Sequence, residues 1–357
     1  MAELEITTLL KKMADVGGSD LFIAPGIPPR ISVEGKLQDA SYEPLTPDDT
    51  RQLVKQMLSE EQWADFFQKR ELNIAYSLRG IARFRVNVYF QRGTVASVIR
   101  RIRMEIPDFA QLNLPPILGE LVKARQGLIL VTGATGTGKS TTMAAMIDFR
   151  AENMDGHIVT IEDPIEFVFN HKKSIITQRE VGIDTPNFIT ALRAALREDP
   201  DVIMVGEMRD MDTIATVLQA AETGHLVFST FHTTDAKETI ARIISYFPES
   251  QQQQVRSQIA ANVIGIISQR LAKRRDKKGL VLAAEVLINT PTIRSAILEN
   301  RIAEIPMLIS KGAEEYSMQT FDQAAVKLFK EGLITEEVGR ATATNPSEFD
   351  RSIKFTR

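Results

Sequence analysis

The stretch Gly133-Ala134-Thr135-Gly136-Thr137-Gly138-Lys139-Ser140-Thr141 places glycines, a lysine and a hydroxyl at the spacing G-x4-G-K-S. That spacing suits a phosphate. Glycines let successive backbone N–H groups turn inward around an anionic oxygen, where a Cβ would obstruct them. A helix starting near Lys139 would add its positive dipole end. The Lys139 ammonium can then reach the β and γ phosphates of a nucleoside triphosphate such as ATP, while the Ser140 hydroxyl ligates Mg2+. The apolar run Leu128 to Val131 just upstream is long enough for a buried parallel strand.

Three further apolar runs, His157 to Ile161, Val202 to Val205 and Leu226 to Thr230, alternate with helical patterns. Thr185-Pro186 opens one helix, running through about Glu198, and Gly224 ends another over Met211 to Thr223. Such alternation predicts a mostly parallel sheet covered on both faces, with ligands outside the carboxyl ends of its strands. Glu162-Asp163, Gly206-Glu207 and Phe231-His232 fall at those ends, on the edge where the glycine loop ends the first strand. Phosphoryl transfer to water needs Mg2+ held opposite the loop, a carboxylate orienting the water, and cations on the phosphates. Glu207 is placed for the Mg2+ side, Glu162 for the water, and His232 to sense the γ phosphate. Each has a plainer alternative, a helix cap or arginine pair for the acids and an ordinary hydrogen bond for the histidine. Arg193 and Arg197 lie four apart on one expected helix face, and Arg209 follows Glu207 by two. They either pair with Glu198 or Asp210, worth little at a surface, or reach a phosphate in an adjacent subunit; spacing leaves both open.

The chain has 357 residues, long for one core, so two domains and a small helical appendage are expected. Residues 1–106 predict a small α+β domain. A helix over residues 3–15 ends at Gly17-Gly18, and strands at 21–24 and 31–33 flank Pro25 to Pro29. Thr46-Pro47-Asp48-Asp49 and the capping box Ser59 to Gln62 start two helices. Strands follow over Ile81 to Phe90 and Thr94 to Ile102. Arg83, Arg85, Asn87 and Tyr89 share one face of the first, which is either solvated or borders the nucleotide or a neighbouring subunit. Residues 107–116 read as a linker, 117–289 as the α/β core and 290–357 as a helical subdomain and tail. Ser250 to Arg275 reads as one long amphipathic helix, and Arg270 to Lys278, six basic residues and one acid, as a solvated loop or a site for anionic partners. A strand at 280–287 and helix starts at Thr290, Thr320 and Thr335 follow, and the end from about Asn345 reads as frayed. Zero cysteines exclude disulfides and thiolate metal sites. With no secretory signal and no apolar run near ~20 residues, the expectation is a cytoplasmic protein without a transmembrane segment. A net charge of −3 gives no global attraction to nucleic acid.

Four segments together resemble the type IV pilus retraction ATPases, the PilT/PilU branch of the secretion ATPase superfamily, over nearly the whole chain. They are Gly133 to Ser140 (Walker A), Thr160-Ile-Glu-Asp-Pro-Ile-Glu-Phe167 (Asp box), Leu196-Arg-Glu-Asp-Pro-Asp-Val-Ile-Met-Val-Gly-Glu-Met-Arg-Asp210 (Walker B region) and Glu222-Thr-Gly-His-Leu-Val-Phe-Ser-Thr-Phe-His-Thr-Thr234 (His box). The resemblance implies an N-terminal PAS-like domain and a RecA-like P-loop ATPase domain. It implies a hexameric ring whose ATP hydrolysis helps depolymerise the pilus from the cytoplasmic face of the inner membrane, supporting twitching motility. Implied partners are a paralogous retraction ATPase and the inner-membrane pilus platform protein. Glu162 is then the catalytic acid, Glu207 a Mg2+-side acid, and Arg193, Arg197 and Arg209 contacts across or within the active site. One motif departs: where the retraction motor has Ala-Ile-Arg-Asn-Leu-Ile-Arg-Glu, this chain has Thr292-Ile-Arg-Ser-Ala-Ile-Leu-Glu299, with Leu298 in place of the second arginine. That departure and an extended tail are similar to the accessory PilU branch. The alternatives are a nucleotide-binding structural adaptor with little turnover and a nucleic-acid-stimulated ATPase.

Overall fold

The computed structural model describes residues 4–40, 43–102, 105–276 and 279–354. The chain divides into two compact units, residues 1–105 with 166–168, and residues 106–165 with 169–357.

The first unit contains α1 (Ile6–Asp15), β1 (Asp20–Ile23), β2 (Arg30–Val33), β3 (Lys36–Asp39), α2 (Pro47–Lys55), α3 (Glu60–Lys69), β4 (Glu71–Leu78), β5 (Ala82–Gln91) and β6 (Thr94–Ile102). The strands form one antiparallel sheet in the order β3-β2-β1-β6-β5-β4. Leu9, Leu10 and Met13 of α1, Leu53 of α2 and Phe66 of α3 share one core with Phe84, Val86 and Val88. Thr46 and Ser59 each close a capping box, so two orphan donors at each helix start are satisfied locally. The opposite face of β5 is partly solvated: Arg83, Arg85, Asn87 and Tyr89 are half-buried, and Asn87 donates to Asn73 on β4 at 3.0 Å.

The second unit begins with α4 (Ile117–Leu121), β7 (Gly127–Thr132), α5 (Lys139–Asn153), β8 (Gly156–Glu162), β9 (Ser174–Glu180), α6 (Phe188–Ala195) and β10 (Val202–Val205). It continues through α7 (Met211–Glu222), β11 (Leu226–Phe231), α8 (Ala236–Ser245), α9 (Glu249–Asn262), β12 (Val263–Lys273) and β13 (Leu280–Ile288). Six helices close it: α10 (Pro291–Leu298), α11 (Ile305–Lys311), α12 (Ala313–Tyr316), α13 (Phe321–Lys330), α14 (Glu336–Thr342) and α15 (Pro346–Lys354). The sheet runs β13-β12-β7-β11-β10-β8-β9, parallel except for β13. Strands β7, β10 and β11 are buried at every position. Helices on both faces remove the need for a polar side, hence their unbroken apolar runs. This is the mostly parallel α/β core expected of a RecA-like P-loop domain.

Several elements differ from the sequence reading. The helix expected over Ser250 to Arg275 stops at Asn262, and Val263 to Lys273 is instead strand β12, paired with β7. Val263, Ile264, Ile266 and Ile267 are β-branched, which disfavours a helix and suits a buried strand. The basic stretch is therefore not a solvated loop at its start. Arg270 lies on β12, its guanidinium 3.8 Å from the centre of the Phe321 ring, and donates to the Thr342 carbonyl at 2.7 Å; Lys277 and Lys278 lie outside the described residues. Helix α6 starts two residues later than Thr185-Pro186 suggests, because Asn187 caps it through the Thr190 N–H at 2.8 Å. Thr290, Thr320 and Thr335 cap α10, α13 and α14 as expected.

The tail is not frayed through residue 354. Phe349 on α15 is fully buried and meets Phe329 edge-on at 6.0 Å, and a Cβ on Gly339 would collide with its ring. Arg340 pairs with Asp350 at 2.6 Å. Phe349→Ala should therefore cost about 3–5 kcal/mol in urea unfolding; a loss within about 0.5 kcal/mol, as at a surface site, would restore the frayed reading.

Candidate functional site

Strand β7 delivers the chain to Gly133, which has φ 145. A Cβ there would stand 2.5 Å from Thr137 Oγ1 and 2.8 Å from the Gln269 carbonyl oxygen, so the loop closes only with glycine. Thr137 Oγ1 donates to the Ala134 carbonyl at 2.8 Å and tightens the turn. Gly138, at φ 88, is the N-cap of α5 and offers no side chain to cap it. The first turn of this 15-residue helix thus stands at the positive end of the helix dipole with no side-chain cap, where an anion is favoured. Ser140 and Thr141 lie in the first turn of α5. Lys139 is buried, and its ammonium donates to the Gly133 carbonyl at 2.7 Å and the Ala134 carbonyl at 3.0 Å.

The parallel register brings the other strand ends to the same edge. Val205 stands beside both Ile161 and Ser229, and Phe231 beside Thr132. Beyond the ladder, the Gly206 N–H donates to the Ile161 carbonyl at 2.8 Å, and the Thr230 hydroxyl to the Gly206 carbonyl at 2.6 Å. Glu207 follows directly. One of its oxygens pairs with Arg209, and the other lies 3.5 Å from His232 Nε2. Nδ1 of the same ring lies 3.4 Å from the Lys139 ammonium. An ammonium only donates, so Nδ1 is the acceptor and the proton of a neutral imidazole belongs on Nε2, towards Glu207. Lys139, His232, Glu207 and Arg209 form one continuous polar line. The Glu207 hydrogen bond makes the Arg209 guanidinium hold its proton more tightly.

Glu162 ends the neighbouring strand, buried at 6% exposure. Its Oε1 accepts from the Thr160 hydroxyl at 2.7 Å and from Gln178 Nε2 at 3.1 Å. The Gln178 side-chain oxygen Oε1 in turn accepts from the Phe169 N–H at 2.9 Å. The carboxylate is thereby fixed in orientation.

Arg193 on α6 and Arg197 beyond its end are exposed, and neither forms an ion pair among the described residues. The intrachain partners considered for them are engaged elsewhere: Glu198 with Arg179 at 3.3 Å, and Asp210 capping α7 through the Thr213 N–H at 2.8 Å. Sequence reasoning missed Thr160 and Gln178. The β-branched run Ile175-Ile-Thr177 could have marked β9, whereas no motif points to Gln178.

The family model described as type II/IV secretion system protein matches residues 76–348. The chain belongs to that family. This secretion-family chain is 43% identical to the type IV pilus ATPase PilU of Pseudomonas aeruginosa over 352 residues, 99% of this chain and 92% of the relative. It is 42% identical to the type IV pilus retraction ATPase PilT of the same bacterium over 346 residues, 97% of this chain and 100% of the relative. A crystal structure of the pilus retraction motor PilT with bound ADP matches it with a TM-score of 0.91 at 46% identity, covering 98% of this chain and 100% of that one. Gly133→Ala should leave the far-UV circular dichroism unchanged and weaken binding of a nucleoside diphosphate at least ~10-fold by calorimetry, since a side chain there strains φ and displaces Thr137. Unchanged affinity would remove the loop from the binding site.

Proposed function

We propose that the chain is an ATP-hydrolysing motor subunit that works as a ring of copies, most simply a hexamer, to support type IV pilus retraction and twitching motility. The observation that carries this reading is the glycine N-cap of α5, set by a glycine loop against the line Lys139, His232, Glu207 and Arg209. Both Pseudomonas aeruginosa relatives are named as type IV pilus ATPases. Leu298, an exposed apolar residue on α10, favours the accessory role beside a paralogous motor.

Residues 133–141 supply the phosphate cradle through their backbone N–H groups. Lys139 exchanges its two loop carbonyls for β and γ phosphate oxygens. Among the described residues no three His, Cys, Asp or Glu cluster as a metal cage. One hydroxyl and one carboxylate, Ser140 and Glu207, would hold Mg2+ beside the phosphate oxygens. When bound, Mg2+ neutralises charge on those oxygens. Glu162, held by Thr160 and Gln178, orients the attacking water and accepts its proton. His232 donates from Nε2 and registers the γ phosphate against Lys139. Arg209 steadies Glu207, and the exposed Arg193 and Arg197 reach a phosphate held by an adjoining copy. No described helix is long and apolar enough to cross a membrane. We assign docking at the cytoplasmic face of the inner membrane to protein contacts, with a pilus platform protein and the paralogous ATPase.

Steady-state phosphate release with simultaneous mass measurement tests the proposal. Lys139→Ala and Glu162→Gln should each lower turnover by about 10²–10³-fold, with Glu162→Gln keeping ATP binding and the ring. Tight ATP binding by the wild-type ring with no turnover, alone or with the partner ATPase, would establish the adaptor instead.

A further inference from the structure

Glu285 lies on β13 among Ala283, Ala284, Val286 and Leu287, all of them buried as it is. A carboxyl in such surroundings costs free energy unless it is hydrogen-bonded, and an apolar residue would pack there more simply. Its partners explain its presence. Oε1 accepts the backbone N–H of Ala236 at 2.8 Å, and the Ser268 hydroxyl also bonds to the carboxyl. Ala236 is the first residue of α8, behind its N-cap Asp235 and the segment that begins at His232. Ser268 faces Glu285 across the β12–β13 ladder and faces Thr132 on its other side. The Thr132 hydroxyl donates to the Ser268 hydroxyl at 3.0 Å. Thr132 immediately precedes Gly133. A buried chain of hydrogen bonds thus runs from the strand beneath the glycine loop, through Ser268 and Glu285, to the helix start behind His232.

We infer that Glu285 is a positioning residue for the candidate site: its carboxyl ties the segment bearing His232 to the strand bearing the glycine loop, and so keeps the loop and His232 at their working separation. This rests on the ATPase reading above. The charged groups facing Glu285 are Asp235 at the start of α8 and Arg270 on β12, and Arg270 in turn faces Asp322. Burial first, with Asp235, pushes the carboxyl up to about 7 against the opposing Ala236 N–H, Arg270 and Ser268. The folded chain therefore holds this proton more tightly than the unfolded one. The stability so gained is complete below pH 4.5, the group's ordinary value, and is lost as pH rises through about 7. Glu285→Gln should remove that slope from a series of denaturation midpoints.

The deciding experiment measures turnover and backbone hydrogen exchange on the full chain for wild type, Glu285→Ala and Glu285→Gln, at a temperature where all three are folded. Glu285→Ala should lower kcat about 10- to 100-fold with little change in KM, as misplacement of reacting groups does. It should also speed exchange in segments 132–140 and 232–240 together. Glu285→Gln keeps an oxygen for the Ala236 N–H and should restore most of both. Unchanged turnover in Glu285→Ala, equal losses in the two variants, or exchange altered only within 280–288 overturns the proposal. A wild type without Lys139-dependent turnover would sink the ATPase reading instead, and exchange in the two segments then decides Glu285 by itself.

Discussion

The site depends on the register of one parallel sheet. Thr132 beside Phe231, and Val205 beside both Ile161 and Ser229, bring the ends of four strands to a common edge. Side chains alternate with a period of two, so a one-residue slip of β10 would turn Glu207 away from His232. Apolar packing alone holds that register weakly here, because every position of β7, β10 and β11 is buried and neither face is distinctive. Hydroxyls supply the missing discrimination. Ser229 donates to the Val205 carbonyl at 2.8 Å and Thr230 to the Gly206 carbonyl at 2.6 Å, fixing β11 to β10 where the chemistry begins.

Strand β12 does the same on the other side of β7. Its Ser268 meets Thr132, and its Gln269 donates to Thr142 on α5 at 2.6 Å. The glycine loop is therefore bracketed, since the residue before it and the helix after it are both held by adjacent residues of one strand. The Gln269 carbonyl oxygen also closes over Gly133. Buried polar contacts of this kind penalise alternative arrangements, because a displaced partner is left unsatisfied away from water. They give the loop a defined shape in a region where flexible glycines would otherwise allow many.

What could be read from the sequence follows how local each signal is. The loop, its strand and α5 are contiguous, and the apolar runs of β8, β10 and β11 mark buried strands without outside help. Strand β3 is exposed along its whole length and carries no apolar pattern. Helix α9 passes directly into β12, the backbone turning extended at Val263 with Gly265 two residues further, and the apolar spacing continues across the junction, so a helical pattern extends past Asn262. Among the candidate site residues, Glu162, Glu207 and His232 are legible because strand ends converge by rule. Gln178 and Glu285 act from strands that the sequence placed poorly or gave no role, through contacts at separations of 16 and 49 residues. Fixed pairings such as Arg209 with Glu207 depend on side-chain reach in three dimensions, and spacing left them open.

Two cations of the candidate site, Lys139 and Arg209, already have partners within the chain, and this shapes how an anion can enter. Lys139 donates to two loop carbonyls, and Arg209 is bound to Glu207. A phosphate arriving at α5 must therefore exchange partners with Lys139 rather than meet a bare charge. Part of its attraction goes into breaking bonds that the loop makes with itself. As the ammonium turns towards the phosphate it leaves His232 Nδ1, whose other nitrogen faces Glu207. In the proposed site, one imidazole therefore links the Lys139 ammonium at the loop to Glu207. In the proposed motor, that path lets the state of the phosphate reach the strand end carrying Glu207 and Arg209, from which α7 departs.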